Sequence, residues 1–230
     1  MFGDGSLTFR EFIMREPHPL AVIHDAVLEF LRGRDDAVLY GAQAVNAYVD
    51  EPRMTQDVDI ASVHATKLAE DLRKYLKQRF HIAARVGKGR KGLGFRIYQT
   101  RKPKNRHLID IWPVETLPPC QRVKKVLVVI PPELIATKVM SMVRRLPRPK
   151  AFMDQADLAR MLLIFPELKQ EEGPVAERLR AAVADDTVMA AWKDLVAQEI
   201  LPEDEDEKFP ALAETLTELE DFAINLGGAS

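Results

Sequence analysis

Cysteine is almost missing from this sequence, since Cys120 is the only one among 230 residues. A disulfide within the chain and a cysteine-based metal site are therefore both excluded. Long apolar runs are also missing. The longest are 126–130 and 161–165, whereas a membrane-spanning helix needs about 20 residues. Residues 1–10 contain no hydrophobic signal region, so we expect a cytoplasmic protein without a membrane segment.

The usual nucleophile, metal-ligand and P-loop motifs are missing as well. No serine or cysteine lies in a nucleophile motif, and the glycine-rich residues 87–92 lack the order of a P-loop. The histidines show no metal-ligand spacing, and we assign no chemistry to any of the five: His18, His24, His64, His81 and His107. What remains is a composition of 47% hydrophobic and 30% charged residues, which is typical of a folded globular protein.

Charge is distributed unevenly along the chain, although the formal net charge is only −2. Between Arg85 and Arg106 there are nine lysines or arginines and no acidic residue. Such a stretch binds nucleic-acid phosphates through a sequence-independent electrostatic attraction, and RNA is the partner that we predict for it. The alternative is a solvated surface. The last thirty residues reverse the pattern, with nine acids and the single base Lys208.

Hydrophobic periodicity separates two halves of the chain. In the first half, helices are predicted over 20–31, 42–48 and 68–80, and strands over 37–40, 57–61, 81–86, 93–99, 108–112 and 123–130. In the second half, one helix is predicted from Pro131 to a connector at 144–150 that prolines interrupt. Further helices are predicted over 152–164, 175–183, 187–200 and 210–226. We therefore predict an α+β fold, with a sheet-containing core at 1–130 and a helical C-terminal domain at 131–230.

The most specific pattern is a group of aspartates on predicted strands. Residues i and i+2 of a strand face the same side, so Asp57 and Asp59 present two adjacent carboxylates. Asp110 repeats the pattern, and pairing of the two strands brings three carboxylates together. Such a group raises a pKa or recruits a cation, and oxygen ligands favour Mg²⁺ or Mn²⁺. The alternative is a half-exposed strand with its acids in water.

A glycine marks a second candidate element, a phosphate site. The predicted strand 37–40 ends at Gly41, and a helix follows immediately. Backbone N–H groups at a helix N-terminus bind phosphate well. The amides of Ala42 and Gln43 would serve this purpose.

The predicted helical half contributes two further candidates. Lys138 lies at the edge of an apolar helix face, either as a snorkelling surface lysine or as a phosphate contact. Asp154 lies on the same helical stripe as Leu158 and Met161. It is either an acid that stabilises the first turn of its helix or one that points into a cleft. Asp157 is the alternate candidate for the second role.

Taken together, these residues resemble the nucleotidyltransferase superfamily with its DNA polymerase beta-like fold, and above all the AbiEii toxin group. The resemblance covers about 37–165. It rests on Gly41-Ala42, an R-x-[ST]-x-D-x-D stretch at 53–59, the Leu108-Ile109-Asp110 strand, a P-x-x-L-x-x-x-K run at 131–138 and a D-x-x-D-L segment at 154–158. One departure is that the group usually has Gly-Gly or Gly-Ser where this chain has Gly41-Ala42.

The resemblance implies a mixed β-sheet flanked by helices, and transfer of a nucleotide from a nucleoside triphosphate with Mg²⁺ or Mn²⁺ as cofactor. Members are toxins that modify RNA, including transfer RNA ends, under the control of a cognate antitoxin. Asp57, Asp59 and Asp110 would hold the metal, and Asp110 or Asp154 would act on the acceptor hydroxyl as metal ligand or general base. The residues expected to hold the triphosphate are Gly41, Ala42, Arg53, Thr55 and Lys138.

Three alternatives remain open from the sequence. The acceptor is a small molecule of the antibiotic type, or the chain is a catalytically inert member of the fold that binds a nucleotide or a protein partner. The third alternative, an antitoxin-type minimal nucleotidyltransferase that modifies a toxin protein, is disfavoured by the long helical half. The predicted partners are thus a nucleoside triphosphate, RNA and an antitoxin.

Overall fold

The computed structural model of the chain describes residues 18–89 and 92–202. One compact unit extends to Gln198, and a second begins at Glu199, of which only 199–202 are described. The helix predicted over 210–226 and the acidic run at 203–207 lie outside the described residues. The chain does change from sheet to helix at Pro131, while a domain boundary at that point stays a prediction.

The described residues form an α+β fold, as the sequence predicts. The helices are α1 (Leu20–Leu31), α2 (Gly41–Tyr48), α3 (Ala65–Phe80), α4 (Pro131–Arg145), α5 (Pro149–Ile164), α6 (Pro174–Ala181) and α7 (Asp186–Ala197), with a short 3₁₀ turn at Pro166–Leu168. The strands are β1 (Ala37–Tyr40), β2 (Val58–Ser62), β3 (Ala84–Lys88), β4 (Phe95–Gln99), β5 (Arg106–Pro113), β6 (Cys120–Val123) and β7 (Val126–Val129).

All seven strands belong to one mixed sheet, in the order β3-β4-β5-β2-β1-β7-β6. The pairs β2–β5 and β1–β7 are parallel, and the other neighbours are antiparallel. The parallel β2–β5 pair lies near the centre of the sheet. It carries the aspartates that the sequence singled out.

The two faces of the central strands differ in polarity because side chains alternate along each strand. Val58, Ile60, Ile109 and Ile111 are each 1% exposed or less, and α1 and α3 pack on the sheet from this apolar side. The alternate residues, Asp59 and Asp110 among them, point to the opposite side. We call that side the polar face.

One predicted strand is wrong. Residues 123–130 were expected to form a single strand, but β6 and β7 form an antiparallel hairpin that turns at Lys124 and Lys125. Both turn residues have positive φ, at 48° and 70°. Two-residue hairpins need such angles, and Gly or Asn usually supplies them. Two lysines in their place, next to an apolar run, left no turn signal in the sequence.

The helical part packs around α4. Pro131 and Pro132 occupy its first turn, where a missing N–H costs nothing. Its buried side chains include Leu134, Ile135 and Val139, and α4 contacts α5, α6 and α7. Helix α2, which begins directly after β1, contacts both α4 and α5. Across the described residues, no helix has the length and apolar character needed to cross a membrane.

Candidate functional site

The register of the central strands sets the aspartates side by side. Asp59 of β2 lies opposite Asp110 of β5, and Tyr40 of β1 lies opposite Asp59 on the other side. Arg96 of β4 lies opposite Asp110, and its guanidinium donates to both carboxylate oxygens, at 2.8 and 2.9 Å. The row therefore runs across four strands of the polar face. It places two acids at its centre and a cation at one end.

His107 joins Asp110 to Asp57, although the sequence gave no reason to assign it chemistry. Its Nε2 lies 3.1 Å from Oδ1 of Asp110, and its Nδ1 lies 3.2 Å from Oδ2 of Asp57. Strict alternation would put Leu108, not His107, on the face of Asp110. A register shift between β4 and β5 pairs Ile97 with Ile109 and Tyr98 with His107. The extra residue, Leu108, forms a bulge that re-aims the imidazole.

The electrostatics of these acids are uneven. Burial, together with the charges of Asp57 and Asp110, raises the pKa of Asp59 to about 7. Burial also acts to raise the pKa of Asp110, but the hydrogen bonds from His107 and Arg96 outweigh it and bring this pKa to about 2. Asp57 follows the same pattern, and its pKa is lowered chiefly by His107. Asp59 is thus the acid with the least compensation.

The same contacts shift the pKa of His107 in the opposite direction. Burial lowers its pKa, but the two carboxylates stabilise the imidazolium more strongly, and the pKa rises to about 9. The imidazole is therefore protonated at neutral pH. We call Asp57, Asp59 and Asp110, together with His107 and Arg96, the carboxylate group.

Part of this group has the spacing of a metal site. One ligand atom from each of Asp57, His107 and Asp110 lies within 4.8 Å of the other two. Asp59 adds a half-buried carboxylate beside Asp110 and two residues from Asp57. A donor set dominated by carboxylate oxygens suits Mg²⁺ or Mn²⁺. The raised pKa of Asp59 records an excess of negative charge that such a cation would relieve.

Gly41 brings the start of α2 against the carboxylate group. Its φ is +66°, and a Cβ at this position would lie 2.2 Å from Oδ2 of Asp59. A side chain is therefore excluded on two grounds, the left-handed backbone and the close approach. The N-terminal N–H groups of α2, which begins at Gly41, lie directly beside the acids. The sequence prediction of a glycine turn into a helix is confirmed.

The loop that carries Arg53 and Thr55 is fixed to α2. The amide of Asn46 donates to the carbonyl of Arg53 at 2.7 Å and its Oδ1 accepts from the N–H of Arg53 at 3.1 Å. Gln43 donates to the hydroxyl of Thr55 at 2.8 Å. Thr55 is buried. Both predicted triphosphate contacts are thus held in place by a helix that itself begins at the acids.

A second charged group lies on α4 and α5. Lys138 Nζ lies 3.0 Å from Asp154 and 2.6 Å from Asp157. Arg53 forms a bidentate pair with Asp157, at 2.6 and 2.7 Å, and Arg145 pairs with Asp154. Both aspartates are buried, so these bases and not water compensate their charges. We call these five residues the cationic cluster, since its three bases exceed its two acids.

The geometry argues against one of the two alternatives at Lys138 and at Asp154, and the catalytic roles of both residues stay predictions. Lys138 is buried rather than snorkelling at a helix flank, with its ammonium between two carboxylates. Asp154 lies in the second turn of α5, which begins at Pro149, so stabilisation of a first turn does not explain it. Asp157, the alternate candidate, is the more deeply buried partner of Arg53 and Lys138.

One cleft of about 850 Å³ brings both charged groups together. Its lining leaves out Asp110, Gln43 and the alternate candidate Asp157, and includes eight of the residues that the sequence proposed for the site: Gly41, Ala42, Arg53, Thr55, Asp57, Asp59, Lys138 and Asp154. An apolar wall comes from the end of β5 and the segment after it, with Trp112, Val114 and Leu117. Asp110 pairs with Asp59 across β2 and β5, and its carboxylate contacts Arg96 and His107.

Three participants escaped the sequence prediction. Lys150, placed in the connector between helices, lines the cleft at the start of α5 and its charge lowers the pKa of both Asp57 and Asp59. Arg96 was counted only as part of the basic stretch. His107 was set aside because its partners are distant in sequence or three residues away. Only the register of β4 on β5 reveals the last two.

The basic stretch itself divides in the structure. Arg96 is engaged with Asp110, and Arg106 is buried with Nη1 donating to the carbonyl of His18 at 2.7 Å. Arg85 and Lys88 are exposed on β3, and Lys102 and Lys104 are exposed in the loop before β5. The exposed cations remain candidates for binding phosphates, and the two engaged ones have structural partners.

Comparison with known proteins gives a family and a fold. Residues 26–223 match the model of the family described as nucleotidyl transferase AbiEii toxin, type IV toxin–antitoxin system. No curated protein sequence matches this chain. Among solved structures, the polyadenylate synthase of Megavirus is similar, with a TM-score of 0.51 and 13% identity over 64% of this chain. The match spans 32% of the viral protein.

Two weaker similarities cover more of the chain. JHP933 from Helicobacter pylori has a TM-score of 0.46 and 13% identity, and covers 94% of this chain and 100% of that one. ANT(2")-Ia in complex with adenylyl-2"-tobramycin has a TM-score of 0.43 and 13% identity, over 81% and 98% of the two chains. The Megavirus structure shows the fold alone. The family match, which covers most of the sequence and includes the whole site, settles the membership: this chain belongs to the AbiEii nucleotidyl transferase toxin family of type IV toxin–antitoxin systems, and it is a nucleotidyltransferase.

Proposed function

We propose that the chain transfers a nucleoside monophosphate from a nucleoside triphosphate to a hydroxyl of RNA, in a reaction that depends on Mg²⁺ or Mn²⁺. The observation that carries the proposal is the pairing of two charged groups in one cleft. The carboxylate group has acids in excess, and the cationic cluster has bases in excess. A divalent cation suits the first and a triphosphate suits the second.

The triphosphate would lie between α2 and the cationic cluster. The backbone N–H groups at Gly41 and Ala42 provide uncharged donors at the positive end of α2. Arg53 and Lys138 add charge, and the hydroxyl of Thr55 lies in the same lining. Lys150, which the sequence did not identify, is the exposed cation at the start of α5. Backbone donors alone replace the serine that the family usually has after the glycine.

The metal would be held by Asp57, Asp59 and Asp110, and His107, which is protonated at neutral pH, flanks Asp57 and Asp110 as a hydrogen-bond donor. When bound, a divalent cation neutralises phosphate charge and polarises the phosphoryl oxygens. The chain's own contribution is to fix the acids. Arg96 and His107 orient Asp110, and Gly41 allows the backbone to approach Asp59. This orientation by neighbouring groups is typical of metal sites.

The reaction forms a bond between the acceptor oxygen and the α-phosphorus, and it breaks the bond from that phosphorus to the bridging oxygen of the β-phosphate, which releases pyrophosphate. The acceptor hydroxyl also loses its proton. Asp110 and Asp154 were the sequence-based candidates for this step, but each is held by two cations. A bound cation would lower the pKa of Asp59 from its metal-free value of about 7, so Asp59 serves as a ligand, and Asp110 and Asp154 stay the candidates for the proton.

The family implies a cognate antitoxin, and the exposed cations of the β3–β4 hairpin support RNA as the acceptor. Arg85 and Lys88 are exposed there, on the edge of the sheet nearest to Arg96 and Asp110. Phosphate contacts of this kind lose affinity steeply as salt rises. A small-molecule acceptor would show no such dependence.

The test incubates the full chain with Mg²⁺, total cellular RNA and each α-labelled nucleoside triphosphate in turn. The matched variants are Asp59→Asn in the carboxylate group and Asp50→Asn, an exposed aspartate after α2 that does not line the cleft. We expect the label on RNA with one or more triphosphates, a loss of at least about 100-fold with Asp59→Asn, and wild-type labelling with Asp50→Asn. A chelator should abolish the reaction.

Each other outcome contradicts a defined part of the proposal. Label on a small molecule or on protein, with none on RNA, would contradict the acceptor. Labelling that survives the chelator would contradict the metal. Equal labelling by Asp59→Asn and wild type would contradict the site.

A further inference from the structure

An aromatic side chain lies on the polar face just beyond the carboxylate group. Tyr98 of β4 pairs with His107 of β5, whose imidazole contacts Asp57 and Asp110. Tyr98 is also two residues from Arg96, which holds Asp110, and so faces the same side of the sheet. The ring is half-buried. It therefore offers a surface to solvent one strand away from the acids.

Glycine on the edge strand lets this ring approach the backbone of that strand. A Cβ at Gly87 of β3 would lie 3.1 Å from Cε1 of Tyr98, so the ring lies over the glycine backbone. Arg85, also on β3, pairs with Tyr98 in register and is exposed. Strand β3 thus places a cation in register with Tyr98, and at Gly87 it presents backbone to the ring in place of a side chain. We call Tyr98, Gly87 and Arg85 the platform.

The platform lies on the opposite side of the acids from the triphosphate elements. Along the sheet the order is β1, β2, β5, β4, β3, with α2 starting from the end of β1 and the platform on β4 and β3. Neither Tyr98 nor Arg85 is among the described residues that line the cleft. In an in-line displacement, the attacking oxygen enters opposite the leaving pyrophosphate. The acceptor therefore approaches from the side of the platform.

The chemistry of the platform fits a nucleotide. An aromatic ring stacks on any nucleobase, and an adjacent arginine contacts the backbone phosphate. Two strand spacings, about 10 Å, separate β2 from β4. A terminal nucleotide spans this distance with its hydroxyl at the acids and its base over Tyr98.

We propose that Tyr98 stacks against a base at the acceptor end of the RNA, with Arg85 on the neighbouring phosphate, and so positions the acceptor hydroxyl at the carboxylate group. This inference rests on the proposed function, because it names how the same site takes its RNA. It adds a binding role for two residues that have no part in holding the triphosphate or the metal.

The experiment measures the KM for RNA and the KM for the nucleoside triphosphate separately, with kcat, for Tyr98→Ala, Tyr98→Phe and Arg85→Ala. The matched control is Tyr75→Ala. Tyr75 is a half-buried tyrosine of α3, the helix that packs on the apolar side, and its ring is tilted against that of Phe30. Loss of one stacked base raises the KM for RNA in Tyr98→Ala by about 10- to 100-fold. Tyr98→Phe keeps the ring and restores most of the affinity.

The remaining readouts separate a binding role from a structural one. The KM for the triphosphate stays within about 2-fold of wild type in all four variants, and Arg85→Ala reduces the salt dependence of the KM for RNA. An unchanged KM for RNA in Tyr98→Ala, while the wild type labels RNA, overturns the inference and leaves the proposed function intact. Parallel losses for RNA and triphosphate, or no rescue by Tyr98→Phe, also overturn it. Failure of the wild type to label RNA, or transfer to protein instead, overturns both.

Discussion

The carboxylate group and the cationic cluster are both networks of acids and bases, but their charges balance in opposite directions. In the carboxylate group, Asp59 has no basic partner within hydrogen-bonding distance among the described residues, and its pKa rises to about 7. In the cationic cluster, both aspartates are buried and each has two basic partners. Asp154 and Asp157 are more deeply buried than Asp59, yet Asp59 is the acid without a hydrogen-bonded base in the part of the chain that the structure describes, so compensation and not exposure makes the difference. The carboxylate group has one acid more than it has bases, and the cationic cluster has one base more than it has acids.

The difference separates stability from function. Fully paired buried charges hold a structure together, and removing one partner is costly. An acid with too few basic partners lowers the folding stability of the metal-free protein. We attribute its presence to the ligand that it binds. The predictions below change one group at a time, in order of decreasing effect.

The largest effect on stability is expected in the cationic cluster. Lys138→Met removes the ammonium that lies between Asp154 and Asp157 and leaves two buried carboxylates with one partner each. We expect the free energy of unfolding to fall by about 3 kcal/mol, measured by urea denaturation. Lys67→Met, at an exposed lysine of α3, should change it little. A loss below about 1 kcal/mol at Lys138 would remove the distinction between the two groups.

A smaller effect of opposite sign is expected in the carboxylate group. The pKa of Asp59 is raised from 3.8 to about 7, so its contribution to stability is present below about pH 4 and is lost as the pH rises through 7. Asp59→Asn cannot ionise. Without metal, the variant should be more stable than wild type by about 2 kcal/mol at pH 8, and the advantage should vanish near pH 4.

Thermal unfolding at pH 4 and 8, with and without Mg²⁺, measures this effect. Mg²⁺ should stabilise the wild type and not the variant, because a ligand stabilises only the state that binds it. Asp50→Asn serves again as the control. An Asp59→Asn variant less stable than wild type at pH 8 would show that its carboxylate is compensated after all.

The smallest effect is a shift in one histidine. Asp57 and Asp110 raise the pKa of His107 to about 9, and Asp110→Asn removes one of the two carboxylates. We expect an NMR titration of the imidazole to show a midpoint near 9 in wild type and a lower one in Asp110→Asn, towards the usual value of 6.5. His107→Gln assigns the resonance by its loss. Identical midpoints in both proteins would show that His107 does not bridge the acids.

Much of the fold was predictable from local patterns. The alternation of strands and helices, and the change to helix at Pro131, follow from hydrophobic periods of 2 and 3.6 residues. The turn from β1 into α2 was predictable because a glycine marks it. Gly41 has a φ of +66° and leaves no room for a Cβ, and glycine is the residue that fits both conditions. The hairpin of β6 and β7 was not predictable, since Lys124 and Lys125 adopt positive φ without a residue type that signals it.

The candidate site was predictable only in part. Asp57, Asp59 and Asp110 could be identified because acids that alternate with buried aliphatic residues are conspicuous on a strand. His107 and Arg96 could not, since the bulge at Leu108 breaks the alternation and brings His107 to the polar face. The sequence also gave no sign of which bases pair with which aspartates. It depends on how α5 lies against α4, where Asp154 and Asp157 meet Lys138.

The sequence by itself determined the types of chemistry available: oxygen ligands on strands, donors at a helix start and cations on helices. Those features are local, and spacing along the chain reveals them. The tertiary structure decided which charges are compensated, because a pKa depends on burial and on neighbours distant in sequence. It also brought Tyr98 to the polar face beside the acids, on the side opposite α2. Strand order and register, which no local pattern encodes, separate the elements for the triphosphate from those for the acceptor.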